Sequence, residues 1–279
     1  LTAAPRAGTL AVRNRRADPL PRFSANLSML FKELPLLDRI DAAADLGFKA
    51  IEFQAPYAEP AADIAARAQA RGLEVVLINA PSGPRPDDRG LGGAVGREED
   101  FWATFVQAMD YATAFGSRHL RVISGFASDA AERAAMEEVL IANLQRAAPV
   151  AAAAGVILTL EPINPVDGPG YVMPNPAAAL AVIDKVGAPN LSLQFDFYHT
   201  QMSVGDLAGH ARRLAGRYSH VQFSNAPGRH EPGVGEIHYP YLFDLLDEIA
   251  YPGWVGCEYW PSTGDTRASL AWAKPWGIG

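Results

Sequence analysis

The feature that most constrains how this chain can fold is a repeated alternation of short apolar runs with stretches of helical spacing. The runs fall at 22–27, 50–53, 74–79, 119–123, 156–160, 191–195, 219–223 and 254–257. The fifth, Val156-Ile157-Leu158-Thr159-Leu160, is apolar nearly throughout rather than on alternate residues, the pattern of a parallel strand covered on both faces. Between the runs, apolar spacing predicts helices over 34–46, 61–70, 97–115, 129–154, 176–186, 204–215, 239–249 and 267–272. Gly47, Gly72 and Gly116 stop the first three of these. Pro149 inside the fourth predicts a kink or a break.

Eight strand–helix units with no change of composition between them predict a single α/β domain over residues 21–279, closed into a (β/α)8 TIM barrel. An open doubly wound sheet is disfavoured because no Gly-x-Gly-x-x-Gly follows the first strand. Acids also end strands from separate parts of the chain, which a barrel gathers at one mouth and an open sheet strings along an edge. Residues 1–20 carry Arg6, Arg13, Arg15 and Arg16 with little apolar periodicity, and a disordered N-terminal extension is expected there. The loop 81–96 is long and rich in Gly and Pro, a kind of segment that is usually functional or disordered.

The 279 residues carry a formal net charge of −7. That balance gives no basic footprint for nucleic acid and favours a small solute as partner. No apolar run reaches the roughly 18 residues that cross a bilayer, so no membrane association is expected. Cys257 is the sole cysteine, which excludes an intramolecular disulfide and zinc sites built on paired cysteines, and a reducing, cytoplasmic setting is expected.

The chemistry is concentrated at the C-terminal ends of the later strands: Glu161 after the fifth, Asp196 after the sixth, Gln222 near the end of the seventh and Glu258 after the eighth. One acid after a strand is more often a helix N-cap or a surface group, and Asp196 can cap the next helix. Four oxygen donors on four consecutive strands form a different kind of object. Three carboxylates in one mouth repel unless a cation sits among them. An all-oxygen donor set suits a hard divalent ion, Mg2+ or Mn2+, as cofactor.

His199 leaves the sixth strand three residues after Asp196, and Arg229 lies in the turn-rich loop after the seventh; both are candidate substrate-binding residues. Asn79 and Glu236 join them, with Glu236 equally suited to bracing its loop. Glu52, within the second strand, is expected to support the site by hydrogen bonding. His119 and His220 begin their strands and are discounted as catalytic. The aromatic residues Trp254, Tyr259, Trp260, Trp272 and Trp276 are expected in packing or in a subunit contact of a homo-oligomer.

Several blocks carry a resemblance. Phe23-Ser24-Ala25-Asn26-Leu27-Ser28-Met29-Leu30-Phe31, Gly96-Arg97-Glu98-Glu99, Glu161-Pro162-Ile163-Asn164, Asp196-Phe197-Tyr198-His199, Glu231-Pro232-Gly233-Val234-Gly235-Glu236-Ile237 and Trp254-Val255-Gly256-Cys257-Glu258-Tyr259 occur in this order. Together they resemble the hydroxypyruvate isomerase family, within the xylose isomerase-like barrels, from about Arg22 to the C-terminus. The resemblance implies interconversion of hydroxypyruvate and tartronate semialdehyde through an enediol, with Glu161 and Glu258 as catalytic acid/base pair. It also implies Glu161, Asp196, Gln222 and Glu258 as metal ligands and a small oxo-acid as substrate. Related ketose 3-epimerases carry His at the position of Gln222. A 2-oxo-tetronate isomerase fits the same blocks, and a ketose 3-epimerase or inosose dehydratase-like enzyme would use the same metal and acid pair on a longer polyol.

Overall fold

The computed structural model describes residues 21–279; the expectation for residues 1–20 lies outside them. Eight parallel strands, β1 (Arg22–Asn26), β2 (Ala50–Phe53), β3 (Glu74–Asn79), β4 (His119–Arg121), β5 (Ile157–Leu160), β6 (Leu191–Asp196), β7 (Tyr218–Phe223) and β8 (Trp254–Cys257), pair in sequence order, and β1 closes on β8. The helices outside them are α1 (Leu36–Asp45), α2 (Ala61–Ala70), α3 (Glu98–Phe115), α4 (Ala130–Ala153), α5 (Pro176–Val186), α6 (Phe197–Ser203), α7 (Leu207–Arg213), α8 (Tyr239–Glu248) and α9 (Thr266–Ser269), followed by a 3-10 turn, Leu270–Trp276. This is the predicted TIM barrel.

Two helices depart from the sequence expectation for local reasons. The predicted 204–215 helix is the shorter α7, because Gly205 and Asp206 both take positive φ (66° and 48°) and delay its start to Leu207. A helix the sequence did not lead one to expect, α6, starts directly from β6, with Asp196 as N-cap. Helix α4 runs unbroken through Pro149. Pro149 and Gln145, whose carbonyl the proline ring displaces, are both exposed, so water can replace the lost bond, while Ala147, Ala148 and Ala151 stay buried on the opposite face.

The outer strand faces and the helices bury a continuous apolar core. At the lower end, Phe23 meets Phe243, Trp272 and Trp276 edge to face at 4.9–5.4 Å, so the C-terminal tryptophans pack inside the chain. The barrel interior is polar instead. Ser24, Asn26, Glu52, Thr159, Gln194, His220 and Gln222 are buried and joined by hydrogen bonds that cross from β2 to β7. Gly256 on β8 makes this crossing possible, since a Cβ there would overlap the Glu52 carboxylate. The loop 81–96 docks on the end of β4: the amides of Gly92 and Gly93 donate to the carbonyls of Ile123 and Ser124, an approach too close for any side chain.

Candidate active site

Strand ends β5, β6 and β8 deliver Glu161, Asp196 and Glu258 to one point. Asp196 is both the last residue of β6 and the cap of α6: its Oδ1 accepts from the backbone N–H groups of Tyr198 (2.6 Å) and His199 (3.3 Å). The cap turns His199 back over the mouth, with Nε2 4.0 Å from Asp196 Oδ2. One ligating atom from each of Glu161, Asp196, His199 and Glu258 lies within 4.8 Å of the others, and all four residues are buried.

Two guanidiniums flank the acids. Arg229 Nη2 donates to Glu258 Oε2 at 2.7 Å and lies 3.8 Å from Asp196 Oδ2, with its plane over the Tyr198 ring at 4.9 Å. Arg121 Nη1 lies 2.6 Å from Glu161 Oε2, as a charge contact off the hydrogen-bonding direction, so neither Glu161 oxygen has a hydrogen-bond donor. Glu258 is held differently: Oε1 accepts from Gln54 Nε2 at 2.8 Å and from Asn26 Nδ2 at 3.5 Å, and Oε2 from Arg229.

Burial pushes the Glu161 carboxyl well above the usual carboxylate range; Arg121 opposes the shift, and Glu258 and Asp196 add to it. Burial likewise raises Asp196 to about 7 against the pull of Arg229. His199 is driven well below its ordinary value by burial and by the two guanidiniums, so its ring is neutral. Its tautomer follows from its partners. Asn164 Oδ1 accepts from the amides of Val166 and Asp167, which turns Nδ2 toward His199 Nδ1 at 2.8 Å, and the Asn164 backbone N–H points there as well, at 3.4 Å. Nδ1 is therefore an acceptor, and Nε2 carries the proton that faces the acids.

The fit to a cation can be judged from the orphaned atoms. Glu161 Oε1 and Oε2 and Asp196 Oδ2 are buried without any hydrogen-bond donor, a costly arrangement that a hard cation relieves. The buried acidic and histidine cluster can thus bind a metal ion. Its oxygens fit better than His199, whose Nε2 bears a proton.

Gln222 is level with Asp196 in the β6–β7 register, but its carboxamide is engaged: Nε2 donates to Glu52 Oε1 at 2.7 Å, and Oε1 accepts from Gln194 at 2.5 Å, leaving one lone pair of that oxygen unused. Asn79 ends β3 as the register partner of Arg121, and its carbonyl accepts from Tyr57. Glu236 is exposed on its loop and accepts from Gln201 at 3.1 Å, apart from the cluster. Glu52 is fully buried and accepts from Ser24, Asn26 and Gln222, with His220 Nε2 at 2.9 Å; burial opposes its charge, but His220 and these donors hold its carboxyl below the usual value.

Sequence reasoning passed over Arg121, Gln54 and Asn164. Arg121 ends β4 two residues after His119, and only closure of the sheet shows that its side chain points into the barrel.

Residues 40–276 match the xylose isomerase-like TIM-barrel family. The chain is 45% identical to a 2-oxo-tetronate isomerase of Cupriavidus necator over 92% of its own length and 99% of that protein's. It is 38% identical to the hydroxypyruvate isomerase of Escherichia coli K12 over 91% and 99%. Among solved structures, a Brucella melitensis protein described as AP endonuclease, family 2, superposes with a TM-score of 0.88 at 40% identity over 92% and 99% of the two chains.

Proposed function

The chain belongs to the xylose isomerase-like TIM-barrel family and is, with its relatives, an isomerase; we propose that it shifts a carbonyl between neighbouring carbons of a short hydroxy-2-oxo acid, either hydroxypyruvate or 2-oxo-tetronate. The observation that carries this reading is the convergence of Glu161, Asp196 and Glu258 on one point beside a neutral His199 whose Nε2 proton faces them.

In hydroxypyruvate the reaction breaks a C3–H bond, forms a C2–H bond and passes the hydroxyl proton from O3 to O2, giving tartronate semialdehyde through an enediol. Glu161 and Glu258 form the acid/base pair: one removes the carbon-bound proton and the other delivers one to the neighbouring carbon. The two are prepared differently. Glu161 has no competing donors and is free to take or give a proton. Glu258 is fixed by Gln54, Asn26 and Arg229, which sets its position relative to the substrate plane. His199 donates from Nε2 to the carbonyl oxygen, where negative charge develops.

Glu161, Asp196 and Glu258 would hold a divalent cation, Mg2+ or Mn2+, with the Gln222 oxygen as fourth donor, and the bound ion would stabilise negative charge on the substrate oxygens. The buried surroundings exclude water from the reacting carbons.

The test is a side-by-side assay of the purified protein with hydroxypyruvate, 2-oxo-tetronate and a ketohexose, with and without a chelator. Turnover of at least one oxo-acid, lost on chelation and restored by Mg2+ or Mn2+, is the expected result. Turnover of the ketohexose alone would replace the oxo-acid reading with epimerase chemistry.

A further inference from the structure

The acid/base pair and the cation donors leave one buried charge at the mouth without a part in the reaction. Arg121 lies on β4, its side chain is 9% exposed, and among the described residues its one ion-pair partner is Glu161. In the closed ring of eight strands β4 stands opposite β8, so Arg121 and the Arg229–Glu258 pair face each other across the mouth.

We propose that Arg121 is the anchor for the substrate's carboxylate and thereby the residue that restricts this mouth to acids. The proposal rests on the isomerase reading and adds the recognition element that the reading lacks. Three observations carry it. First, Arg229 is committed: it makes an aligned hydrogen bond to Glu258, a second contact to Asp196 and a stack on Tyr198. Arg121 has the misaligned contact to Glu161 as its one ion pair among the described residues, beside the Tyr171 hydroxyl, and its Nε, like that of Arg229, is buried without an acceptor. A buried guanidinium edge with an unused donor is matched by a carboxylate, which takes two parallel N–H bonds.

Second, with a divalent cation bound and all three acids ionised, an anion completes the charge balance. Three carboxylates against two guanidiniums leave the mouth one negative charge. A divalent cation turns this into one positive charge, and a substrate with a single carboxylate brings it to zero, whereas a neutral sugar leaves a buried excess. Third, the spacing suits a short molecule. Arg121 Nη1 lies 2.6 Å from Glu161 Oε2, and the ligating atoms of Glu161 and Glu258 lie within 4.8 Å of each other, so a carboxylate on Arg121 has the acid pair only a few carbons away.

The experiment compares hydroxypyruvate with dihydroxyacetone, in which a hydroxymethyl group replaces the carboxylate. Arg121→Met is expected to raise the KM for hydroxypyruvate by about 10- to 100-fold, while the inhibition constant of dihydroxyacetone changes by less than about twofold; Arg121→Lys falls between. Because Arg121→Met leaves Glu161 without its counter-charge, Glu161→Gln and the double variant Arg121→Met/Glu161→Gln are titrated with hydroxypyruvate by calorimetry as well. The double variant is expected to bind about 10- to 100-fold more weakly than Glu161→Gln alone. Equal binding by these two overturns the anchor, as does a shift in the acid-to-neutral preference produced by Arg229→Met and not by Arg121→Met. A loss of kcat in Arg121→Met with the hydroxypyruvate KM unchanged overturns it too, assigning Arg121 to Glu161 alone. Failure of the isomerase reading is separable: wild-type protein that binds hydroxypyruvate through Arg121 without isomerising it keeps the anchor and loses the reaction.

Discussion

At the scale of single residues, the site depends on an asymmetry between two glutamates that the sequence presents as equals. Glu161 is buried without donors, and Glu258 is buried with three. Replacing either carboxyl by an amide keeps the volume and removes proton exchange. Glu161→Gln and Glu258→Gln are each expected to abolish deuterium uptake from solvent into the substrate, with near-native thermal unfolding, and to lower kcat by at least about 100-fold; retained exchange in both variants would remove the acid/base assignment. The acids were legible because each follows an apolar run and has no packing reason to be there. Arg121 was not: two residues after a histidine in a short strand, it looks like ordinary polarity until closure of the sheet forces both side chains inward. The His199 tautomer was also hidden, because it depends on Asn164, distant in sequence.

At the scale of elements, the strands follow one pattern: outward positions are apolar and pack on helices, and most inward positions are polar and pair across the barrel, Ala50 and Leu77 being apolar exceptions. The pattern gives β8 an unusual requirement. Glu52 reaches from β2 to His220 and Gln222 on β7, and Gly256 leaves the space for it. Glu52 cannot retreat, since Ser24, Asn26, Gln222 and His220 all hold its carboxylate. Gly256→Ala is therefore expected to lower stability by about 1–3 kcal/mol, measured as a shift of the urea midpoint at constant slope. A change within about 0.5 kcal/mol, typical of surface sites, would show that the network yields. All eight strands were legible within one or two residues, because apolar outward positions recur in short runs between turn residues and stretches of helical spacing. The α6–α7 pair was not, because α6 begins at Asp196 with no linker, and Asp206 enters a left-handed conformation that its residue type permits without demanding.

At the scale of the whole molecule, a polar barrel interior makes stability depend on pH through groups remote from the mouth. His119 begins β4 at the lower end, 7% exposed, with Nδ1 3.0 Å from the Val76 carbonyl and its ring 5.6 Å from that of His220. Burial, His220 and Arg118 lower its pKa to about 3, and the Val76 carbonyl opposes them only in part. The unfolded chain returns the imidazole to about 6.5. Between pH 6.5 and pH 3 the unfolded state thus binds a proton that the folded state refuses, and stability falls with pH. The contribution is complete above about pH 6.5 and declines by up to about 1.4 kcal/mol per pH unit below it. From pH 7 to pH 5 the loss from His119 is about 2 kcal/mol. His119→Asn keeps a donor for the Val76 carbonyl and removes the titration. Its unfolding free energy is expected to fall less than that of the wild type by about that amount over the same interval, with His199, Glu52 and the other acids cancelling in the comparison. Parallel stability curves for the two proteins between pH 7 and pH 5 would mean that His119 takes up its proton in the folded barrel and that the lower end of the barrel admits water.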